Sequence, residues 1–297
     1  MKEFRFKKID AFATSRSEGN PAGYIQLDSF SDISDSEMLR IAKELKGFVS
    51  EVGYLVNSGD NEFQLKYYSS EREVDFCGHA TIAIMYNLIS DNLSLYEQRY
   101  FQIKTNRGIL NVENRIADED AVFIEAPSPY EKSELPETKG IAKALKIAEN
   151  EINLDLPVSI INAGLTTLLV PIKNLKSILS IYPDLDELKE FCIRSGVDII
   201  EVFTDDVSES SNDYRTRVFA PTFGYLEDKA TGSGNSAFGY YLLKNDIWKK
   251  EVIVIEQNES INSYNVVKLQ KQAYEENKYR VYFGGGAVTR IEGVYKL

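Results

Sequence analysis

The sequence contains one histidine, His79, which lies beside Cys77 and Gly78 at the predicted start of a nearly uncharged helix. A helix N-terminus carries backbone N–H groups without intrahelical partners and a positive partial charge, so it suits a bound carboxylate. Gly78 allows a ligand to approach the backbone closely, and His79 could donate a hydrogen bond to that ligand or carry its protons. The alternative is a histidine that only satisfies the turn.

A second segment of similar make-up, Glu227–Asn235, precedes another weakly charged helix. Its glycines, its hydroxyl side chains and Asp228 also suit a bound anion, for which Gly232 and Ser233 would supply backbone N–H groups. The alternative is an ordinary helix start, capped by the side chain of Thr231 or Ser233.

A third candidate, Glu51, stands at the entry to the apolar strand predicted for 52–56. Apolar surroundings raise the pKa of a carboxyl group, which suits a general base or a proton shuttle near neutral pH. A solvated glutamate at a strand end is the alternative. Together the three segments predict proton removal and return on a small carboxylated molecule, bound in a cleft between two similar halves.

Charge and composition exclude several other kinds of site. The net charge of -12 and a pI near 4.8 argue against a nucleic-acid partner, because such binding depends on clustered cations. One histidine excludes metal sites built from several imidazoles, and neither a GxxxxGK nor a GxGxxG phosphate motif is present. The proton transfer predicted above implies no metal and no cofactor.

Several features predict a cytoplasmic protein without a membrane segment. Residues 1–12 alternate charged and aromatic side chains without an apolar core, which is not the pattern of a secretory signal. No stretch approaches the roughly 20 apolar residues of a membrane span. Two cysteines, Cys77 and Cys192, do not make a disulfide framework, which is typical of a reducing compartment.

Periodicity and turn residues predict alternating strands and helices. Gly19–Pro21 is expected to be a loop, and Ser34 with Glu37 has the spacing of a capping box before a helix. The other predicted elements are strands at 4–12, 52–56, 63–68, 100–105, 108–113, 122–125, 159–161, 166–170, 199–204, 214–219, 252–256, 265–269 and 279–283, and helices at 78–89, 185–195 and 233–243.

The two weakly charged helices suggest an internal duplication. When Cys77 is aligned with Thr231, the offset is close to half of the chain length, as a tandem duplication predicts. Chance identity among common residues is the alternative. The identical pairs are Glu73 with Glu227, Gly78 with Gly232, Ala83 with Ala237, Tyr86 with Tyr240 and Leu88 with Leu242.

With these motifs the chain resembles the PhzF-like family, relatives of the phenazine-biosynthesis isomerase whose fold is similar to that of diaminopimelate epimerase. The matching stretches occur in the family's order and span nearly the whole chain. They are Asp10-Ala11-Phe12, Gly19-Asn20-Pro21-Ala22, Ser50-Glu51, Cys77-Gly78-His79-Ala80-Thr81, Arg217-Val218-Phe219-Ala220-Pro221, Glu227-Asp228, Ala230-Thr231-Gly232-Ser233-Gly234, and Gly284-Gly285 with Ala287.

The resemblance implies an α+β fold of two pseudo-symmetric halves, each a curved, barrel-like mixed sheet around a central helix, with the active site between the halves. We expect the first half to comprise residues 1–118 and 286–297, and the second to comprise 119–285. A homodimer is also implied. The implied site residues are, for catalysis, Glu51 as the proton shuttle with His79 and Asp228, and, for substrate binding, Asn20, Gly78, Gly232 and Ser233.

Two positions depart from the family pattern. In the epimerase and racemase relatives two cysteines act as paired acid and base, whereas here Cys77 holds the first position and Thr231 the second. Since a threonine hydroxyl is far less acidic than a thiol, two-thiol racemisation is not expected, and Cys77 is predicted to be a small core residue. Lys229 stands where the family usually has proline, which would add a cation near the substrate.

The function that follows is a cofactor-independent isomerase that moves a proton on a small amino or hydroxy acid, similar to trans-2,3-dihydro-3-hydroxyanthranilate isomerase. One alternative is an epimerase or racemase of a small acid that uses Cys77 with a non-thiol partner. The other is a non-catalytic protein of the same fold that binds a small carboxylated metabolite.

Overall fold

A computed structural model describes residues 2–276 and 278–297 of the chain. The chain divides into two units, unit 1 with Met1–Glu125 and Gly284–Leu297, and unit 2 with Ala126–Phe283. The boundaries expected from the sequence lie after residues 118 and 285. None of the described helices combines the length and the apolar character needed to cross a membrane.

Strands and helices are interspersed along the described residues, and the last elements of the chain are all strands. They are β1 Glu3–Ala11, β2 Asn20–Leu27, β3 Glu51–Gly59, β4 Glu62–Ser69, β5 Glu73–Val74, β6 Tyr100–Thr105, β7 Gly108–Arg115, β8 Ala121–Glu125, β9 Tyr130–Lys132, β10 Ser159–Asn162, β11 Thr166–Pro171, β12 Ile199–Thr204, β13 Tyr214–Phe219, β14 Glu227–Asp228, β15 Val252–Gln257, β16 Asn265–Glu275, β17 Lys278–Gly285 and β18 Ala287–Lys296.

The helices differ widely in length, and the two longest are the ones that the sequence marks as weakly charged. They are α1 Asp35–Glu44, α2 Gly78–Ser90, α3 Leu93–Tyr96, α4 Ile116–Glu119, α5 Thr138–Leu145, α6 Leu175–Leu179, α7 Leu185–Ser195 and α8 Gly232–Lys244, with short 3-10 turns at Phe30–Asp32, Glu149–Glu151 and Pro221–Phe223.

Unit 1 is a mixed sheet around helix α2. Strands β18, β1 and β2 pair antiparallel in that order, β2 and β3 are parallel, and β3 and β4 are antiparallel. Strand β4 pairs with the short β5 and, in parallel, with β6, which continues through antiparallel pairs into β7 and β8. Helix α2 contacts β1, β2, β3, β8 and β18. Because the sheet surrounds this uncharged helix, residues 80–85 are all buried.

Unit 2 repeats this arrangement around helix α8. Strands β9, β10 and β11 pair antiparallel, β11 and β12 are parallel, and β12 and β13 are antiparallel. Strand β13 pairs with the short β14 and, in parallel, with β15, which pairs antiparallel with β16. Helix α8 contacts β10, β11, β12 and β16. The order and sense of pairing from β10 to β16 match those from β1 to β7, which supports the internal duplication.

Most predicted elements are present, including helix α7, strands β12 and β13 and the β6–β7 hairpin. The capping box is also confirmed, since the Ser34 side chain accepts from Glu37 N and the Glu37 side chain accepts from Ser34 N. The predicted loop at Gly19–Pro21 is wrong in part, because β2 begins at Asn20, which pairs with Ala11. Of the three residues only Gly19, with φ +69°, lies outside the strand, and a proline is tolerated near the start of a strand.

Candidate active site

Three side chains of unit 1 form a contact cluster: Glu51 at the start of β3, Cys77 just before α2, and His79 in the first turn of α2. His79 Nε2 lies 3.2 Å from Glu51 Oε2. Cys77 Sγ lies 3.4 Å from His79 Nδ1 and 3.6 Å from Glu51 Oε2. The side chains of His79 and Glu51 are 14% and 22% exposed, so each keeps a small accessible surface in largely dry surroundings.

Strand β3 brings Glu51 to the start of α2 because it passes close to that helix. A Cβ atom on Gly53 would lie only 2.3 Å from Ile84 Cδ1, so a larger residue there would force the Ile84 side chain to move. Glu51 itself pairs with Ala22 of β2 and with Ser69 of β4. Its backbone is therefore fixed by two neighbouring strands.

Buried hydroxyl groups hold the backbone at the start of α2. Thr81 Oγ1 donates to the carbonyl oxygen of Cys77 at 2.7 Å, and the Tyr67 hydroxyl lies 2.6 Å from Thr81 Oγ1. At the N-cap position Cys77 offers no side-chain oxygen to the first-turn N–H groups, unlike Ser34 at the start of α1. A helix start of this kind is suited to binding an external anion.

Glu51 and His79 form an ion pair. Burial opposes ionisation of Glu51, but hydrogen bonds from His79 and Cys77 and the charge of His79 lower its pKa below the ordinary 4.5. Burial also opposes protonation of His79, but contacts with Cys77 and Glu51 raise its pKa well above 6.5. The raised pKa expected for Glu51 from the sequence is therefore wrong, because its charged neighbour outweighs its burial.

Cys77 is buried, as the sequence predicts, but it also contacts both partners of this ion pair. Burial raises the pKa of its thiol, so we assign the charge that stabilises protonated His79 to the Glu51 carboxylate. The ligand atoms of the three residues all lie within 4.8 Å of one another, a spacing that would also admit a metal ion. The expected absence of a metal stays a prediction.

At the start of α8 in unit 2, the side chain of Asp228 contacts a neutral hydroxyl group. The Thr231 hydroxyl donates to Asp228 Oδ2 at 2.6 Å and makes no capping bond to the helix. An ordinary cap by Thr231 is therefore excluded. Asn235 Nδ2 donates to the Thr231 carbonyl oxygen at 2.8 Å, which is the role of Thr81 in α2.

The glycine and serine that open α8 have close neighbours within unit 2. A Cβ atom on Gly232 would lie 2.5 Å from Phe283 Cε2, so packing alone already requires glycine there. Ser233 is half-buried, and its Cβ lies 3.3 Å from where a Cβ on Gly164 would be. Binding of a substrate by Gly232 and Ser233 stays a prediction.

Arg217 fixes the strand that carries Asp228. This arginine is buried, and its Nε and Nη2 atoms donate to the Glu227 carboxylate at 3.0 and 2.7 Å. Its Nη1 atom donates to the carbonyl oxygens of Ile178 and Ile181 at 3.0 and 2.7 Å, near the end of α6. Since Asp228 follows Glu227 in β14, the arginine fixes the backbone beside it.

The remaining predicted positions are spread over the two units. Asn20 is buried, and its Oδ1 accepts from the hydroxyl of Ser50, the residue before Glu51, at 3.3 Å. Lys229 is exposed, and its carbonyl oxygen accepts from Asn265 Nδ2 at 2.7 Å. The structure thus brings Glu51 and His79 into direct contact in unit 1, while Asp228, Gly232 and Ser233 belong to unit 2. That both sets serve one substrate stays a prediction.

Sequence reasoning missed two parts of this arrangement. The one local signal for the contact of Cys77 with the ion pair is its position at the start of the helix that carries His79, since residues two apart within a helix do not face each other. Gln257, which contacts Thr231 and Asn235, carries no comparable local signal, since it lies in a strand after α8. A separate surface pocket in unit 2 contains none of the predicted site residues; it is lined by Asn153, Leu156, Pro171, Ile172, Phe203, Thr204, Asp205, Tyr214, Ile247 and Lys249.

Comparison with known proteins agrees with this architecture. The model of the family described as phenazine biosynthesis-like protein (PhzC-PhzF) matches residues 9–293. The chain therefore belongs to this family. It is 30% identical over 274 residues to a Bacillus subtilis protein named uncharacterized isomerase YfhB, and the match covers 91% of each chain.

Solved structures share the fold. A phenazine biosynthesis protein of the PhzF family from Bacillus anthracis has a TM-score of 0.86 at 23% identity, with 100% of both chains covered. A predicted epimerase from Pseudomonas aeruginosa has a TM-score of 0.72 at 19% identity, with 98% of both chains covered. The predicted fold, an α+β fold of the epimerase type, is confirmed.

Proposed function

We propose that this protein is an isomerase that moves a proton between two carbon atoms of a small amino or hydroxy acid, with Glu51 as the proton carrier. The name of its Bacillus subtilis relative supports the class of reaction. The observation that supports the choice of Glu51 is its ion pair with His79 at 3.2 Å. Both side chains are partly exposed, so a substrate can reach them.

The ion pair couples two proton transfers. Glu51, present as a carboxylate, takes a proton from a substrate carbon that a neighbouring carbonyl or carboxyl group acidifies. Protonation of Glu51 removes a negative charge that, together with the contacts of Cys77, raises the pKa of His79, so His79 becomes a stronger donor while negative charge develops on the substrate. Glu51, whose partly exposed carboxyl group can exchange its proton with solvent, then returns a proton to a different carbon, and the ion pair is restored.

The start of α8 would hold polar groups of a small acid. The backbone N–H groups of Gly232 and Ser233 would bind a carboxylate, because the Thr231 hydroxyl that could cap them donates to Asp228 instead. Asp228 would accept a hydrogen bond from an amino or hydroxyl group. Both roles are consistent with the small amino or hydroxy acid proposed as substrate.

Proton exchange in deuterated water tests the role of Glu51. The probes are L-proline, trans-4-hydroxy-L-proline and trans-2,3-dihydro-3-hydroxyanthranilate, incubated with EDTA to remove adventitious metal, and deuterium is counted by mass spectrometry. We expect exchange in at least one probe, and a loss of at least about 100-fold in Glu51→Gln, the scale of general acid–base catalysis. Glu97→Gln, at an exposed glutamate, is the matched control and keeps full activity.

The outcomes separate the candidate functions. Full exchange by Glu51→Gln overturns the assignment of the proton carrier. Thermal stabilisation by the acids without any exchange would instead favour the non-catalytic metabolite-binding protein, because a ligand stabilises the folded state whether or not it reacts.

The second candidate function is an epimerase in which Cys77 carries the proton. It is favoured by the contact of Cys77 Sγ with His79 Nδ1 at 3.4 Å, since an imidazole at this distance can exchange a proton with the thiol. In that case Cys77→Ser loses exchange activity and inverts no substrate, whereas Glu51→Gln keeps both. The isomerase predicts the reverse order of effects.

A further inference from the structure

Gln257 is a fully buried amide behind the start of α8. It ends strand β15 and pairs with Thr216 of β13. Its Oε1 atom accepts from Thr231 N at 3.1 Å and from Asn235 Nδ2 at 2.7 Å. Its Nε2 atom donates to the Asp228 carbonyl oxygen at 3.1 Å and to Thr231 Oγ1 at 3.2 Å.

These partners fix which end of the amide is oxygen. The Thr231 backbone N–H can only donate, so the atom beside it must be Oε1. The Asp228 carbonyl oxygen can only accept, so the other atom must be Nε2. Both requirements select the same orientation of the amide, which places its Nε2 donor beside Thr231 Oγ1.

The orientation of the amide then sets the direction of the next hydrogen bond. Thr231 Oγ1 already accepts from Gln257, so its own hydrogen is directed to Asp228 Oδ2 at 2.6 Å. This is a short hydrogen bond of the kind that hydroxyl groups make to ionised carboxylates. The Gln257 amide therefore donates to the Thr231 hydroxyl, which in turn donates to Asp228.

We propose that Gln257 is a positioning residue that, through Thr231, keeps Asp228 a hydrogen-bond acceptor, so that the substrate group bound by Asp228 is a donor. This inference rests on the proposed function and adds the residues, Gln257 and Thr231, that enforce its preference for an amino or hydroxyl group beside the carboxylate. An acid with only acceptors at that position, such as an ether or a keto acid, has no hydrogen to donate to the Asp228 carboxylate and therefore binds more weakly.

Paired ligands that differ in this one group test the proposal. The pairs are L-proline with tetrahydrofuran-2-carboxylate, L-pipecolate with tetrahydropyran-2-carboxylate, and anthranilate with benzoate; affinities come from calorimetry, supported by thermal shifts. For the wild type we expect the amino member to bind at least about tenfold more tightly, the value of one charge-assisted hydrogen bond. In Thr231→Val this preference falls to about threefold or less, and Thr231→Ser restores it.

A second variant removes the amide that orients the Thr231 hydroxyl. In Gln257→Leu no side-chain donor from position 257 faces Thr231 Oγ1, so the hydroxyl hydrogen is no longer directed to Asp228 by the amide. We expect the preference for amino acids to fall in this variant. A merely structural role would lower the melting temperature of the variants and leave the affinity ratio unchanged, and that result overturns the proposal.

The binding measurements distinguish a failure of the role of Gln257 from a failure of the proposed function. Binding of both members of a pair with equal affinity overturns the role of Gln257 and Thr231 but leaves the isomerase proposal standing. Absence of binding by every acid overturns the proposed small-acid substrate, and the inference with it.

Discussion

The starts of α2 and α8 lie at the same place in two similar sheets, yet each has a carboxylate that the other lacks. Glu51 begins β3, whereas Ile199 begins the equivalent strand β12. Asp228 ends the two-residue strand before α8, whereas Val74 ends the one before α2. The two copies of one supersecondary unit therefore differ in chemistry: α2 has an ion pair that can move a proton, and α8 has one acid held by neutral donors.

A second difference concerns how strand and helix approach each other. Gly53 of β3 pairs with the β4 residue that faces the last residue of β5. Glu201 of β12 pairs with the β13 residue that faces the last residue of β14. The two residues therefore hold equivalent positions. In unit 1 the small residue is on the strand, against Ile84 of the helix. In unit 2 the small residue is Gly234 on the helix, and a Cβ atom added to it would lie 2.6 Å from Glu201 Oε2. Only unit 2 buries a carboxyl group at this contact.

The largest expected effect is the loss of the charged partner in unit 1. His79→Gln keeps a hydrogen-bond donor but cannot be protonated, so we expect exchange activity to fall about 100-fold. The acidic limb of the pH–rate profile, below pH 4.5 in the wild type, moves to higher pH, because burial of Glu51 remains while the charge that lowers its pKa is gone. An unchanged acidic limb would show that the two side chains do not interact in solution.

The same ion pair contributes to stability in a defined pH range. The pKa of Glu51 is lowered from 4.5, so its contribution is complete above that pH and is lost as the pH falls through the lowered value. The pKa of His79 is raised from 6.5, so its contribution is complete below that pH and is lost as the pH rises through the raised value. Urea unfolding should therefore show the largest difference between wild type and His79→Gln between pH 4.5 and 6.5.

Local sequence features predict the elements and the residues of the ion pair, but not their interaction. Helix α7 is predictable because Asp184 caps its first turn and Gly196 ends it, both local signals. Glu51 and His79 were found by type and motif, yet the lowered pKa of Glu51 depends on a distance between β3 and α2 that no local pattern encodes. Gln257 is harder still, because a buried amide in a late strand is recognisable only through its partners.

A smaller effect tests the contact between β3 and α2. Gly53→Ala would place a methyl group 2.3 Å from Ile84 Cδ1, so we expect a loss of about 1–3 kcal/mol in the free energy of unfolding, the usual cost of overpacking. Gly293→Ala is the matched control in a strand with no atom within 4 Å of the new methyl group, and it should change stability by less than about 0.5 kcal/mol. Ile84→Val added to Gly53→Ala should recover part of the loss. Equal effects of the two alanines would contradict the close approach.

A pH-dependent effect on stability is expected from the buried acid of unit 2. Burial raises the pKa of Glu201 well above 4.5, and neither of its carboxyl oxygens has a hydrogen-bond partner among the described residues. The folded protein therefore retains a proton that the unfolded chain releases, and stability falls as the pH rises from 4.5 toward the raised value, by at most about 1.4 kcal/mol per pH unit.

Glu201→Gln isolates this dependence, because an amide does not titrate. Its absolute stability at pH 4.5 should be close to that of the wild type, since a buried amide is about as poorly satisfied there as a protonated carboxyl. Its stability at pH 8 should be higher, and urea unfolding across this range should give a flatter profile than for the wild type or for the exposed control Glu97→Gln. Parallel profiles would mean that Glu201 reaches water or a partner in solution. In that case Glu201 would be a charged carboxylate that is stabilised in solution, as Glu51 is at the start of α2. The close packing of Glu201 against Gly234 would then not keep it uncharged.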